Sequence, residues 1–137
     1  MKTAPERVVF DSSAVLAFFL LERGGAEVKT ELRACRKGTR EGWISAASVA
    51  EVHRRLRASR DAAAARRELD SLCLTPLAIL PVDREIAQAA ADLARDADVG
   101  LFDCFVAASA WQLGATVVTA DSDFHRLEDR VTVRFIR

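Results

Sequence analysis

Short β-branched or aromatic runs alternate along this chain with longer segments whose apolar residues recur at helical spacing. Val8-Val9-Phe10 reads as a buried strand, and Asp11-Ser12-Ser13 after it as a helix-cap cluster. Residues 14–21 are apolar on every face, so the helix they predict must be covered on both sides, by a sheet and by another helix or a second subunit. Gly24-Gly25 breaks this element, and residues 26–37 read as an exposed helix. Trp43-Ile44-Ser45 predicts a second strand, followed by a helix over about 47–58 with Val49, Val52 and Leu56 on one face. Asp61 caps a helix whose stripe is Ala62, Ala65, Leu69, Leu72 and Cys73, and Pro76 ends that region. Residues 78–82 predict a third strand, and Asp83 opens a helix to about residue 95 with Ile86, Ala89, Ala90 and Leu93 aligned. After a turn at Gly100, Phe102, Phe105, Val106, Ala110 and Leu113 mark a helix that Gly114 stops. Thr116–Thr119 is a fourth strand, residues 121–126 a loop or short helix, and residues 131–136 a last, alternating strand.

Strands alternating with helices predict an α/β sandwich around a parallel sheet. Ligands in such sheets bind beyond the carboxyl ends of the strands, near a reversal of strand order. The residue after each strand is therefore where chemistry is expected.

Composition narrows the chemistry. The chain has 137 residues, the size of one domain, which we take as 1–137. Lys+Arg and Asp+Glu are both 20, which excludes nucleic-acid binding by bulk positive charge and requires any charged partner to be read by a local patch. Lysine occurs only at Lys2, Lys29 and Lys37, and Tyr is absent, which excludes a late-chain lysine and a tyrosine nucleophile. The missing lysine argues against phosphotransfer to an aspartate, as in receiver domains or dehalogenase-like phosphatases. The latter would also want an acid where Ser13 stands. Cys35, Cys73 and Cys104 lack disulfide or zinc spacing and read as reduced thiols. The apolar N-terminal stretch is interrupted by Asp11 and followed by Glu22-Arg23, unlike a signal peptide, and no stretch approaches the ~20 apolar residues of a membrane span. The expected setting is cytoplasmic, with no membrane partner.

Two strands end in acids: Phe10 leads into Asp11, and Thr119-Ala120 into Asp121, with Asp123 two residues on. Asp103 lies in the first turn of the 102–113 helix, its i+3, i+4 and i+7 neighbours all apolar. Singly, Asp11 suits a helix cap as well as a ligand, Asp103 suits the helix dipole, and Asp121 and Asp123 suit a turn. Together they predict converging carboxylates. These repel one another unless a cation lies between them, and hard oxygen donors suit Mg²⁺ or Mn²⁺. Glu51 falls about 200° from Val49 on its helix, and periodicity alone assigns it to solvent.

These residues resemble the PIN-domain family of metal-dependent ribonucleases, and within it the small VapC-like toxins of bacterial toxin–antitoxin pairs. The resemblance runs over essentially the whole chain. It rests on Val8-Val9-Phe10-Asp11-Ser12-Ser13, on Ile44-Ser45 leading to Val49-Ala50-Glu51-Val52, on Asp103-Cys104-Phe105-Val106-Ala107-Ala108, and most specifically on the segment from Gly114 through Val117-Val118-Thr119-Ala120-Asp121-Ser122-Asp123-Phe124. It implies a three-layer α/β/α fold with a mostly parallel sheet of about five strands, and a homodimer. It also implies that Asp11, Glu51, Asp103 and Asp121 are catalytic acids holding Mg²⁺ or Mn²⁺. Asp123 would be a supporting acid, and Ser13 and Thr119 hydroxyls that orient carboxylates. The implied activity is cleavage of structured RNA, such as tRNA or rRNA, to 3′-hydroxyl and 5′-phosphate ends, restrained by a cognate antitoxin; a housekeeping RNA-processing nuclease is the alternative. The chain departs from the family at Gly100-Leu101-Phe102-Asp103, a shorter turn that sets Phe102 against the acid.

His53, Arg54, Arg55, Arg57, Arg60, Arg66 and Arg67 crowd one stretch around Asp61. Guanidinium groups suit phosphate, so Arg54, Arg55, Arg57 and Arg60 are candidates to bind RNA or acidic partner residues, or to form a solvated face.

Overall fold

The computed structural model describes residues 4–136. Among these, five strands and six α-helices follow in the order β1 (Glu6–Phe10), α1 (Ser12–Phe19), α2 (Gly25–Lys37), β2 (Arg40–Ser45), α3 (Ala46–Ser59), α4 (Ala62–Leu72), β3 (Leu77–Leu80), α5 (Arg84–Ala97), α6 (Leu101–Leu113), β4 (Thr116–Thr119) and β5 (Val133–Phe135), with a 3₁₀ segment at Ser122–Leu127. All strand pairs are parallel, in the order β3-β2-β1-β4-β5. The chain builds outward from β1 to β3, then crosses back to place β4 on the other side of β1. Strand order therefore reverses between β1 and β4, and in open parallel sheets the crevice beyond the carboxyl ends at such a point is where ligands bind.

Alternation within β1 assigns the two faces. Val8 and Phe10 join Ile44 and Val118 under α1 to α4, whereas Val9 joins Val117 under α5 and α6. This makes three layers, α/β/α, as expected. Val8, Val9 and Phe10 are wholly buried, each worth roughly 1.5–3 kcal/mol relative to exposure. The all-apolar helix is covered as its composition requires, by the sheet on one side and by α2 and α3 on the other.

Boundaries differ from the sequence reading where charge obscured a strand or burial extended past one. β2 begins at Arg40 rather than Trp43, because Glu6 and Arg7 of β1 pair in register with Arg40 and Glu41. Ion pairs at these strand starts (Arg7 with Glu41 at 3.5 Å, Arg40 with Glu6 at 3.7 Å) replace the apolar contacts the reading looked for. β5 spans only Val133–Phe135, although buried Val131 and Ile136 extend the apolar pattern. α1 stops at Phe19, and Leu21 lies beyond it with a positive φ of 54° and 91% exposed. No helix among the described residues is long and apolar enough to cross a membrane.

Candidate metal centre

Asp11 leaves the end of β1 and enters the crevice 1% exposed. It holds the N-cap position of α1 yet makes no side-chain cap bond, so the choice between cap and ligand falls against the cap. Instead, Oδ2 accepts the hydroxyl of Ser13 at 2.7 Å and that of Thr119 at 2.9 Å. Each hydroxyl has one proton, and both are committed to this oxygen. The other oxygen, Oδ1, is buried with no protein donor. A buried carboxylate oxygen without a partner costs on the order of several kcal/mol unless a positive group meets it.

Asp121 reaches the same place from β4. Its backbone N–H donates to Thr119 Oγ1 at 3.0 Å, and its Oδ1 caps the 3₁₀ segment by accepting the Asp123 N–H at 2.9 Å. Asp103 arrives from the first turn of α6. One carboxylate oxygen from each of Asp11, Asp103 and Asp121 lies within 4.8 Å of the others. None of the ion pairs among the described residues involves these three acids.

The electrostatics show the cost. Burial, then the charges of Asp11, Asp121, Glu51 and Asp123, push Asp103 up to about 7. Burial raises Asp11 as well, opposed by the hydroxyls of Ser13 and Thr119. Three hard oxygen donors, from acids of which Asp11 also carries a buried unpartnered oxygen, fit a divalent cation such as Mg²⁺ or Mn²⁺. They do not fit a soft-metal site.

Glu51 is not on a solvent face. α3 packs against both α1 and α6, so the side of the helix opposite its apolar stripe borders the crevice. Glu51 is half-buried there and accepts the Ser12 hydroxyl at 3.1 Å. Burial raises its carboxyl; the Ser12 hydrogen bond and the Arg54 charge oppose this, while Asp11 and Asp121 add to it. Glu51 lies outside the triad but within its field. Ser12 is the site residue the sequence reading did not assign; its signal was the hydroxyl pair after Asp11. Asp123 is exposed and acts on Asp103 through charge.

The arginines divide. Arg54 is exposed one helical turn after Glu51. Arg55 points to Glu22, Nη2 to Oε1 at 3.8 Å, and Arg60 is bound to Glu68 at 2.6 Å. Arg57 joins His53 and Arg66 in a separate cleft of about 490 Å³ between α3 and α4.

Several solved structures share this fold, among them a member of the VapBC family of toxin–antitoxin systems. A chain of the VapBC2 complex of Rickettsia felis, bound to a DNA fragment from its promoter, superposes with a TM-score of 0.77 at 16% identity, covering 96% of this chain and 99% of that one. A chain of VapBC-5 from Mycobacterium tuberculosis gives 0.65 at 24%, covering 97% and 99%. A chain of FitAcB from Neisseria gonorrhoeae gives 0.69 at 22%, covering 92% and 95%. No curated protein matches the sequence. Residues 8–130 match the PIN domain, a stretch that starts within β1 and takes in every acid of the crevice. The chain therefore belongs to the PIN-domain family.

Proposed function

We propose that this protein is a Mg²⁺-dependent endoribonuclease, with Mn²⁺ able to substitute, acting as the toxin of a toxin–antitoxin pair. The observation that carries this reading is the meeting of Asp11, Asp103 and Asp121 within 4.8 Å, with one buried oxygen unpartnered. PIN-domain membership and the fold shared with VapBC chains support it. The whole chain acts as one PIN unit.

Asp11, Asp103 and Asp121 hold the cation, and Glu51 and Asp123 add negative field around it. When bound, it supplies an activated water and offsets charge on a phosphoryl oxygen. Ser13 and Thr119 fix the orientation of Asp11, and Ser12 fixes that of Glu51. Glu51, raised by burial and with only Oε1 engaged by Ser12, takes up the proton of the attacking water. In-line attack of the water oxygen on phosphorus breaks the P–O3′ bond, leaving a 5′-phosphate on one fragment, while the departing 3′-oxygen takes a proton from solvent to become the 3′-hydroxyl of the other. The substrate is a structured RNA such as tRNA or rRNA. The antitoxin and a second copy of the chain, as a cytoplasmic homodimer, are the protein partners. Of the candidate RNA- or antitoxin-binding cations Arg54, Arg55, Arg57 and Arg60, Arg54 has no direct ion pair among the described residues and serves RNA, whereas Arg60 is engaged by Glu68.

The test is RNA cleavage by the purified protein with Mg²⁺, with EDTA, and by Asp103→Asn. Cleavage only by the unaltered protein with Mg²⁺ is expected; cleavage in EDTA or by the variant overturns the mechanism. Growth arrest on expression without a partner, lost in Asp103→Asn, separates a toxin from a housekeeping nuclease.

A further inference from the structure

Phe102 stands in the first turn of α6, immediately before Asp103, and is 38% exposed; its neighbour Leu101 is 47% exposed. Large apolar side chains left open beside a polar crevice lose the burial that would stabilise them. The Phe102 ring is nevertheless held in a defined orientation. It meets Phe105, one turn on, edge to face at 6.2 Å and 76°. The Arg54 guanidinium stands over the Phe102 ring, 6.0 Å from its centroid. Arg54 comes from α3, one turn beyond Glu51, and forms no direct ion pair among the described residues. An aromatic ring and a guanidinium thus meet between α3 and α6, Phe102 one residue before Asp103 and Arg54 one turn after Glu51.

We infer that Phe102 and Arg54 form a subsite for one unstacked nucleobase of the RNA, an inference that rests on the nuclease reading above. Arg54 covers one face of this ring, so a base stacks on its other face or displaces the guanidinium, which can then hold the adjoining phosphate. Bases inside a duplex are already stacked and cannot enter. The subsite therefore selects RNA at a loop, bulge or single-stranded end. It also gives the departure at Gly100–Asp103 a role: it places an aromatic residue immediately before Asp103 in the first turn of α6. The phosphate held in the crevice and the base on Phe102 then belong to the same or adjoining nucleotides.

The experiment uses the full chain carrying Asp121→Asn, so that RNA is bound but not cut. Short single-stranded RNAs with 2-aminopurine at successive positions are titrated, beside the same strands with an abasic residue at each position. Quenching of 2-aminopurine at one preferred position is expected. Adding Phe102→Ala or Phe102→Leu should abolish that quenching and weaken binding roughly five- to a hundred-fold, the worth of one stacked base. Phe102→Trp should retain both. The strand abasic at the preferred position should bind equally well with and without the Phe102→Ala substitution. Leucine keeps the apolar contact to Phe105 without a π-face, so full retention in Phe102→Leu overturns the stacking subsite. Unchanged RNA affinity in Phe102→Ala, or a change only in oligomeric state or antitoxin binding, also overturns it while leaving the nuclease reading intact. Absence of binding by every form both to these strands and to a structured RNA such as tRNA overturns the nuclease reading itself.

Discussion

The Thr119 hydroxyl donates to Oδ2 of Asp11 at 2.9 Å, joining the ends of two strands that lie 108 residues apart in sequence. The same Thr119 oxygen accepts the Asp121 N–H at 3.0 Å, so one hydroxyl positions two of the three clustered acids. Thr119→Val keeps the shape and removes the proton. Asp11 would then lose a hydrogen bond that holds its pKa down against burial, and it would rise further. The expected result is a 10- to 100-fold loss in cation affinity or activity, with the acidic limb of the pH–rate profile moved to higher pH, and recovery in Thr119→Ser. Cation titration and rate measurements across pH check this; an unchanged profile in Thr119→Val would contradict it.

Asp103 links the site to stability. Its carboxyl lies at about 7 in the folded protein against an ordinary 3.8. A raised carboxyl stabilises the fold only while protonated: the contribution is complete below the unfolded value and lost as pH rises through the folded one. In EDTA, Asp103→Asn is therefore expected to be more stable than the unaltered protein at pH 8, by about 1–2 kcal/mol after discounting for the partial exposure of the group. The difference should shrink toward pH 4. Urea unfolding at both pH values is the measurement, and equal stability at pH 8 would count against mutual repulsion of the acids.

Saturating Mg²⁺ reverses the order of those stabilities. A cation that binds only the folded state stabilises by RT ln(1 + [L]/Kd), about 2.7 kcal/mol at a hundredfold excess over Kd. Thermal melting with and without Mg²⁺ should show a rise for the unaltered protein and little for Asp103→Asn. Equal rises would place the cation elsewhere.

The arginines should separate by readout. Arg54 forms no direct ion pair among the described residues, whereas Arg60 is bound to Glu68 at 2.6 Å in a partly buried pair. Arg54→Ala is expected to weaken RNA binding and to reduce its salt dependence by about one phosphate contact. Arg60→Ala should lower stability by up to about 1 kcal/mol and leave RNA binding nearly intact. Binding at several salt concentrations, with unfolding measured alongside, distinguishes the two.

Gly25 tests the packing behind the site. A Cβ there would lie 2.7 Å from the carbonyl oxygen of Ala17, in the helix that starts at the Asp11 cap. Backbone cannot yield as a side-chain tip would, so Gly25→Ala is expected to destabilise by about 1–3 kcal/mol, read by urea unfolding.

Much of the architecture was present in local pattern. Val8-Val9-Phe10 and Thr116–Thr119 announced central strands because both their faces are apolar, and the acids after them marked the carboxyl edge. Charged strand starts such as Arg40-Glu41 hid the beginning of β2, because they are satisfied by neighbours across the sheet and not by their own sequence. The odd helix periodicity of Glu51 likewise misled, since periodicity sees one partner surface and α3 borders two.

Sequence by itself determined the alternation of strands and helices, the zero net charge and the stock of acids, because these follow from residue type and spacing. Only the tertiary structure decided which acids meet. The reversal of strand order brings β4 beside β1, and with it Asp121 to Asp11 and Thr119 between them, across a separation no local rule spans. The same packing engaged Arg55 and Arg60 in ion pairs and set Arg54 over Phe102, and it brought Glu51 to the Ser12 hydroxyl. Charge counts add along a chain, but fields and hydrogen bonds depend on distance, and distance is set by the fold.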